Sequence, residues 1–203
     1  MGRLIIIEGG DGSGKATQTA LLKERLLKEG YKVKSVSFPN YDSPAAMPVK
    51  MYLAGDFGKK PSDVNPFVAS SLYAVDRFAS FRMDWQNFYE EGGIILADRY
   101  TTSNMVHQMV KYEDPAERKA FLDWLEDFEF VKFGLPRPDA VLFTGYAPCS
   151  ERSTYGGAQT IKPVALPAIF MRKTMRIWAV FTEPMMNWWH VIIGSVLPVP
   201  MSI

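Results

Sequence analysis

Cysteine is nearly absent: Cys149 is the only one, which excludes an internal disulfide framework and fits a reducing compartment. With two histidines, His107 and His190, the chain has no Cys/His zinc spacing and no partner spacing for a Ser-His-Asp or Cys-His arrangement. Excess charge of one sign is also missing. Lys and Arg number 23 against 22 Asp and Glu, a net charge of +1, so no nucleic-acid or anionic-membrane footprint is expected. No apolar run reaches the ~18 residues of a membrane span. Repeats and low-complexity tracts are absent, and a strand expected from Arg3 leaves no room for a signal peptide, which predicts a cytoplasmic protein. What remains is a 203-residue chain, 47% hydrophobic, long enough for one α/β domain with a substantial core.

The chain is organised around Glu8-Gly-Gly-Asp-Gly-Ser-Gly-Lys-Ala-Thr-Gln18. The apolar run Leu4-Ile-Ile-Ile7 before it is short and β-branched, hence a buried strand. After it, Ala20, Leu21, Leu22, Leu26 and Leu27 follow a helical spacing that Gly30 is placed to end. Strand, glycine-rich turn and helix form the context of a phosphate-binding loop. Gly9, Gly12 and Gly14 let backbone N–H groups turn onto phosphate oxygens. The helix N-terminus adds partial positive charge and Lys15 a full one. Ala16 stands where the pattern has a magnesium-binding Ser or Thr, and Thr17 comes one residue too late. A nucleoside phosphate is the expected ligand; a glycine-rich turn with no ligand is the bland alternative.

Tyr31 to Phe38 reads as a second strand that Phe38-Pro39 ends abruptly. A short helix is expected from Ser43-Pro44 to Leu53, closed by Gly55. Asn65-Pro66 opens a long helix that runs to Glu91 and stops at Gly92-Gly93. Phe67, Ala74, Phe78, Phe81, Trp85 and Phe88 make its core stripe. Tyr73 and Arg77, four apart on a neighbouring face, suit a planar base, one stacking and the other donating to an exocyclic oxygen; an ordinary helix surface is the alternative. Ile94 to Ala97 is a buried strand delivering Asp98-Arg99-Tyr100 at its carboxyl end, where open parallel sheets bind ligands. Asp98 could hold magnesium through water and Arg99 could clamp a phosphate. Ser103, Asn104 and Gln108 lie near the start of a helix over 101–110 and could bond a base or sugar. A helix over 113–132 turns Phe121, Leu122, Leu125 and Phe128 inward and its charges to solvent. Pro136-Arg-Pro138 then leads to a fourth strand, 139–143.

Beyond Phe143 the text changes. Only seven charged residues follow: Glu151, Arg152, Lys162, Arg172, Lys173, Arg176 and Glu183. Proline interrupts each candidate helix, and only 171–181 suggests a short one. Residues 1–143 therefore read as one domain built on the phosphate-binding loop, and 144–203 as an atypical segment of the kind a shifted reading frame produces. An alternative frame of the gene that continues with charged, periodic sequence would support this.

The ordered set Glu-Gly-x-Asp-Gly-Ser-Gly-Lys, Phe-Pro, Tyr-x-x-x-Arg on a long helix and Asp-Arg-Tyr-x-x-Ser resembles the thymidylate kinase family over about residues 3–143. The resemblance implies a three-layer P-loop NTPase fold, an α/β parallel sheet with helices on both faces, and transfer of the γ-phosphoryl group of ATP to dTMP with Mg²⁺. Gly9, Gly10, Asp11, Gly12, Ser13, Gly14, Lys15, Ala16 and Thr17 would hold the ATP phosphates, with Lys15 on the transferred group. Asp11 would sit near the dTMP sugar and phosphate, Tyr73 on thymine and Arg77 at a base oxygen. Arg99 would take the dTMP phosphate and Asp98 the metal, while Phe38, Pro39, Tyr100, Ser103, Asn104 and Gln108 would line the acceptor pocket. Family members are commonly homodimers, and the helix from Pro66 to Glu91 could supply the surface. Two departures stand: Ala16, and the lack of a recognisable lid, adenine-contacting loop, last strand or closing helix after Phe143. The competing readings are another nucleoside monophosphate kinase, or a nucleotide-binding product impaired in catalysis.

Overall fold

The computed structural model describes residues 1–145 and the backbone of a strand at 176–180. Four strands run parallel: β1 (Arg3–Gly9), β2 (Val33–Ser37), β3 (Ile94–Asp98) and β4 (Ala140–Gly145). A fifth, β5 (Arg176–Val180), pairs antiparallel with β4, giving the order β2-β3-β1-β4-β5. Of the short helix expected over 171–181, the described part is this strand. Extended backbone there finds hydrogen-bond partners along the open edge of β4, which a helix would leave unpaired.

The uninterrupted run in β1 follows from its burial on two faces. Leu4 and Ile6 enter one core with Phe81, Trp85, Tyr89 and Tyr100. Ile5 and Ile7 enter the other with Leu26, Ile94 and Leu96. Alternation of side chains along a strand thus makes three layers from one sequence tract.

Helix α1 (Lys15–Lys28) follows the loop, and α2 (Met47–Ala54) ends at Gly55, whose φ is 78°. α3 (Pro66–Ser80) opens as expected, with the Asn65 side chain accepting from Phe67 N at 2.8 Å. It does not run on regularly to Glu91. A π-helical turn at Phe81–Trp85 leads into α4 (Gln86–Glu90). The wider turn rotates the inward face, so Tyr89 is buried while the expected Phe88 is only partly so. Phe78, placed in the core stripe from spacing, is 39% exposed and packs edge-on against Phe133. α5 spans Thr101–Met109. α6 (Pro115–Glu126) continues through a second π-helical turn, Asp127–Lys132. Among its charges Glu129 is fully buried, which corrects the expectation of a purely solvated charged face: the buried stripe Phe121, Leu125 continues at the next four-residue step to Glu129.

Candidate active site

At the carboxyl ends of β1 and β3 lies a cavity of about 500 Å³. Its wall brings together Asp11, Lys15, Phe38, Pro39, Tyr73, Arg77, Asp98, Arg99, Tyr100, Ser103, Asn104 and Gln108. Residues assigned from five separated stretches of sequence therefore meet in one place. Gly9, Gly10, Gly12, Ser13 and Gly14 are outside this wall and form the adjoining loop, and Ala16 and Thr17, also outside it, stand in the first turn of α1.

That loop needs its glycines. Gly12 and Gly14 have φ of 75° and 80°, the left-handed region that side chains disfavour. At Gly9 a Cβ would meet Thr144 O at 2.4 Å. Ser13 Oγ and Thr144 Oγ1 share a buried hydrogen bond of 2.8 Å, and Thr144 Oγ1 donates to Glu8 O at 3.2 Å, which ties the loop to β4. Lys15 Nζ donates to Gly9 O at 2.8 Å and Gly10 O at 3.0 Å. The ammonium lies across the loop, where it neutralises backbone oxygens until an anion offers a stronger partner.

Beside the loop, Arg99 follows β3 with φ 66°, the single non-glycine residue among those described in the left-handed region. Its N–H donates to Ile7 O at 3.1 Å, so sheet pairing continues through the strained residue. Its guanidinium contacts Asp11 Oδ1 at 3.2 Å, not the adjacent Asp98. Glu8, outside the predicted set, is buried beneath this group and accepts from Ser103 Oγ at 2.7 and 3.0 Å. Burial raises its pKa, opposed by the Ser103 hydrogen bond and the charges of Arg99 and Lys15. His107 also lines the cavity, with its pKa lowered by burial and then by Arg99.

Asp98 has one carboxylate oxygen, Oδ1, buried with no hydrogen-bond partner. A cation held by one carboxylate, waters and phosphate oxygens fits that oxygen. The described residues contain no group of three metal-ligating side chains. Gln108 Oε1 is a second buried acceptor without a partner.

At the far end, Tyr73 packs edge-on to Tyr52 at 6.1 Å between centroids, and burial pushes its phenol up to about 12. Arg77 lines the cavity as expected, but it is 2% exposed. Its Nε donates to Glu129 Oε2 at 2.7 Å and its Nη2 to Oε1 at 2.5 Å. Below Pro39, the buried Asp76 accepts from Asn40 N at 2.9 Å, and burial raises its pKa. Glu8, though it opens the loop motif, was not among the expected site residues, nor were Asp76 and Glu129. A charged residue at a position that continues an apolar stripe was the available signal for Glu129, and adjacency to Arg77 the signal for Asp76.

Comparison with known proteins agrees with this geometry. A family model described as thymidylate kinase matches residues 7–192, continuing past Phe143 into the segment where no family motif was legible. A thymidylate kinase of Mycobacterium tuberculosis is 31% identical over 158 residues, covering 77% of this chain and 72% of the relative. That of Schizosaccharomyces pombe is 31% identical and covers 76% and 67%; the human protein is 28% identical over the same shares. The solved thymidylate kinase of Candida albicans superposes with a TM-score of 0.53 at 26% identity, over 71% of this chain and 63% of that one.

Proposed function

The chain belongs to the thymidylate kinase family, and from that premise we propose that it transfers the γ-phosphoryl group of MgATP to dTMP, giving dTDP. The observation that carries the reading is one cavity with two chemically different ends. One end holds Lys15, Arg99 and the unpartnered Asp98 oxygen; the other holds Tyr73, Arg77 and Asn104.

Phosphoryl transfer through a loose transition state asks for in-line placement and positive charge more than for covalent help. In this reading the loop 9–17 holds the ATP phosphates by its N–H groups, and Lys15 leaves Gly9 O and Gly10 O for the transferred group. Arg99 binds the dTMP phosphate, its backbone fixed by Ile7 and its guanidinium steadied by Asp11. Ser103 is held by Glu8 at the floor. Tyr73 stacks on thymine, Arg77 donates to a base oxygen, and Gln108 Oε1 accepts from a sugar hydroxyl. Phe38, Pro39 and Tyr100 wall the pocket. Mg²⁺ would bind at Asp98 and supply charge neutralisation between the phosphates. We place the protein in the cytoplasm as a homodimer.

The test is ADP release from ATP and Mg²⁺ with dTMP, dUMP, dCMP, dGMP and AMP offered separately. Selective turnover of dTMP is expected. Equal turnover of AMP or dGMP would replace the assignment by another nucleoside monophosphate kinase. Binding of dTMP without turnover would favour a catalytically impaired product with its defect beyond Phe143.

A further inference from the structure

Beneath the base end of the cavity lies a buried polar cluster centred on Glu129, which does not itself line the cavity. Its two carboxylate oxygens accept from four side-chain donors: Arg77 Nε and Nη2 at 2.7 and 2.5 Å, Thr101 Oγ1 at 2.8 Å and Asn104 Nδ2 at 3.4 Å. Asn104 Nδ2 also donates to Ser70 O at 3.2 Å. Arg77, Thr101, Asn104 and Ser70 are all buried.

We propose that Glu129 is a positioning residue that sets the hydrogen-bonding edge of the acceptor cavity to match a keto-imide pyrimidine. The proposal rests on the reading of this cavity as the dTMP site. A backbone carbonyl and a carboxylate are acceptors only. Between Ser70 O and Glu129 the Asn104 amide must therefore turn its NH₂ inward, and Oδ1 is the atom left for a ligand. Glu129 takes Nε and Nη2 of Arg77, and Nη1 has no partner among the described residues. Because Arg77 and Asn104 line the cavity, this edge of it offers one donor and one acceptor. Thymine and uracil present the complement, a carbonyl oxygen next to an N–H. Cytosine presents an NH₂ next to a bare nitrogen, which opposes donor to donor and acceptor to acceptor. Mismatched buried groups of this kind discriminate far more strongly than shape does.

Glu129 thus acts through Arg77 and Asn104 without touching the nucleotide. Replacing it by Gln would set an NH₂ against side chains that all donate to Glu129, of which Arg77 can never accept. Arg77 would lose half of its fork, and Asn104 could turn its amide over at the cost of the bond to Ser70.

The test is equilibrium binding of dTMP, dUMP and dCMP by calorimetry to the full chain, which does not require turnover. Wild type should prefer dTMP to dCMP by at least about 10²-fold. Glu129→Gln should reduce that preference about tenfold while leaving the dTMP-to-dUMP ratio and the affinity for a non-hydrolysable ATP analogue unchanged. Removing the buried charge partner of Arg77 could unfold the protein, so Thr101→Val is the second variant. It keeps the volume, lies outside the cavity wall and removes one donor from Glu129; it should lower the preference about threefold. Equal loss of affinity for dTMP and dCMP, or an unchanged ratio in the variants that fold, overturns the proposal while leaving the dTMP reading in place. A wild type with no preference for dTMP over dCMP overturns both.

Discussion

At Glu8, burial and charge pull in opposite directions. Desolvation raises the pKa from 4.5, and the Ser103 hydrogen bond and the charges of Arg99 and Lys15 only partly offset it. A carboxyl whose folded pKa is raised binds its proton more tightly in the native state than in the unfolded chain. Its contribution to stability is therefore fully present below about 4.5 and is lost as pH rises through the raised folded value. Glu8→Gln removes this dependence and keeps an acceptor for Ser103. Thermal melts of the nucleotide-free proteins between about pH 4 and about pH 8 should show the variant gaining on wild type as pH rises. A variant that loses ground to wild type as pH rises would mean that the Ser103 hydrogen bond and the Arg99 and Lys15 charges outweigh burial. The same residue shows why site chemistry is only half readable in sequence: Glu8 stands in the loop motif, yet its burial and its bond to Ser103, ninety-five positions away, depend on the sheet register.

Elements show a sharper division. The loop, α1, the start of α3, α5 and the four parallel strands were legible from period and punctuation: Gly30 after α1, Asn65-Pro66 before α3, Gly92-Gly93 before β3. The two π-helical turns were not. A π turn keeps the composition of an α-helix and shifts its phase, so past Phe81–Trp85 the inward position falls on Tyr89 where spacing alone puts Phe88. Glu129 stayed hidden for another reason: it keeps the step of Phe121 and Leu125, but a carboxylate reads as solvent-facing until Arg77 is seen beside it. β5 lacked a clear period and shows itself only as a partner of β4. At the junction of loop and α1, the departure at Ala16 makes its own prediction. Restoring a hydroxyl with Ala16→Ser should lower the Mg²⁺ concentration needed for half-maximal rate by several-fold, with the dTMP KM unchanged, because the serine would add a ligand to an ion otherwise served by Asp98, water and phosphate. A Mg²⁺ dependence identical to wild type would mean that the ion sits away from residue 16.

For the whole molecule, the arrangement of α3 bears on assembly. Its inner side carries Tyr73 and Arg77 to the cavity, while Val68, Val75 and Phe78 are 53%, 44% and 39% exposed on the other side. Met83, in the π turn that follows, is 84% exposed. An apolar strip on one helix is more than a monomer needs on its surface, and helices packing along such a strip could bury the ~800 Å² per partner of a standard interface. We therefore expect light scattering to give twice the 22.9 kDa chain mass. Val75→Glu should shift the particle toward the single-chain mass, since two copies would set buried carboxylates against one another. The dTMP affinity should weaken with it, because α3 presents the base-binding pair from its opposite face and loses the support of the partner helix. A wild type that runs as a monomer would remove the dimer from the account. A dimer untouched by Val75→Glu would move the interface off α3 and uncouple assembly from the acceptor site.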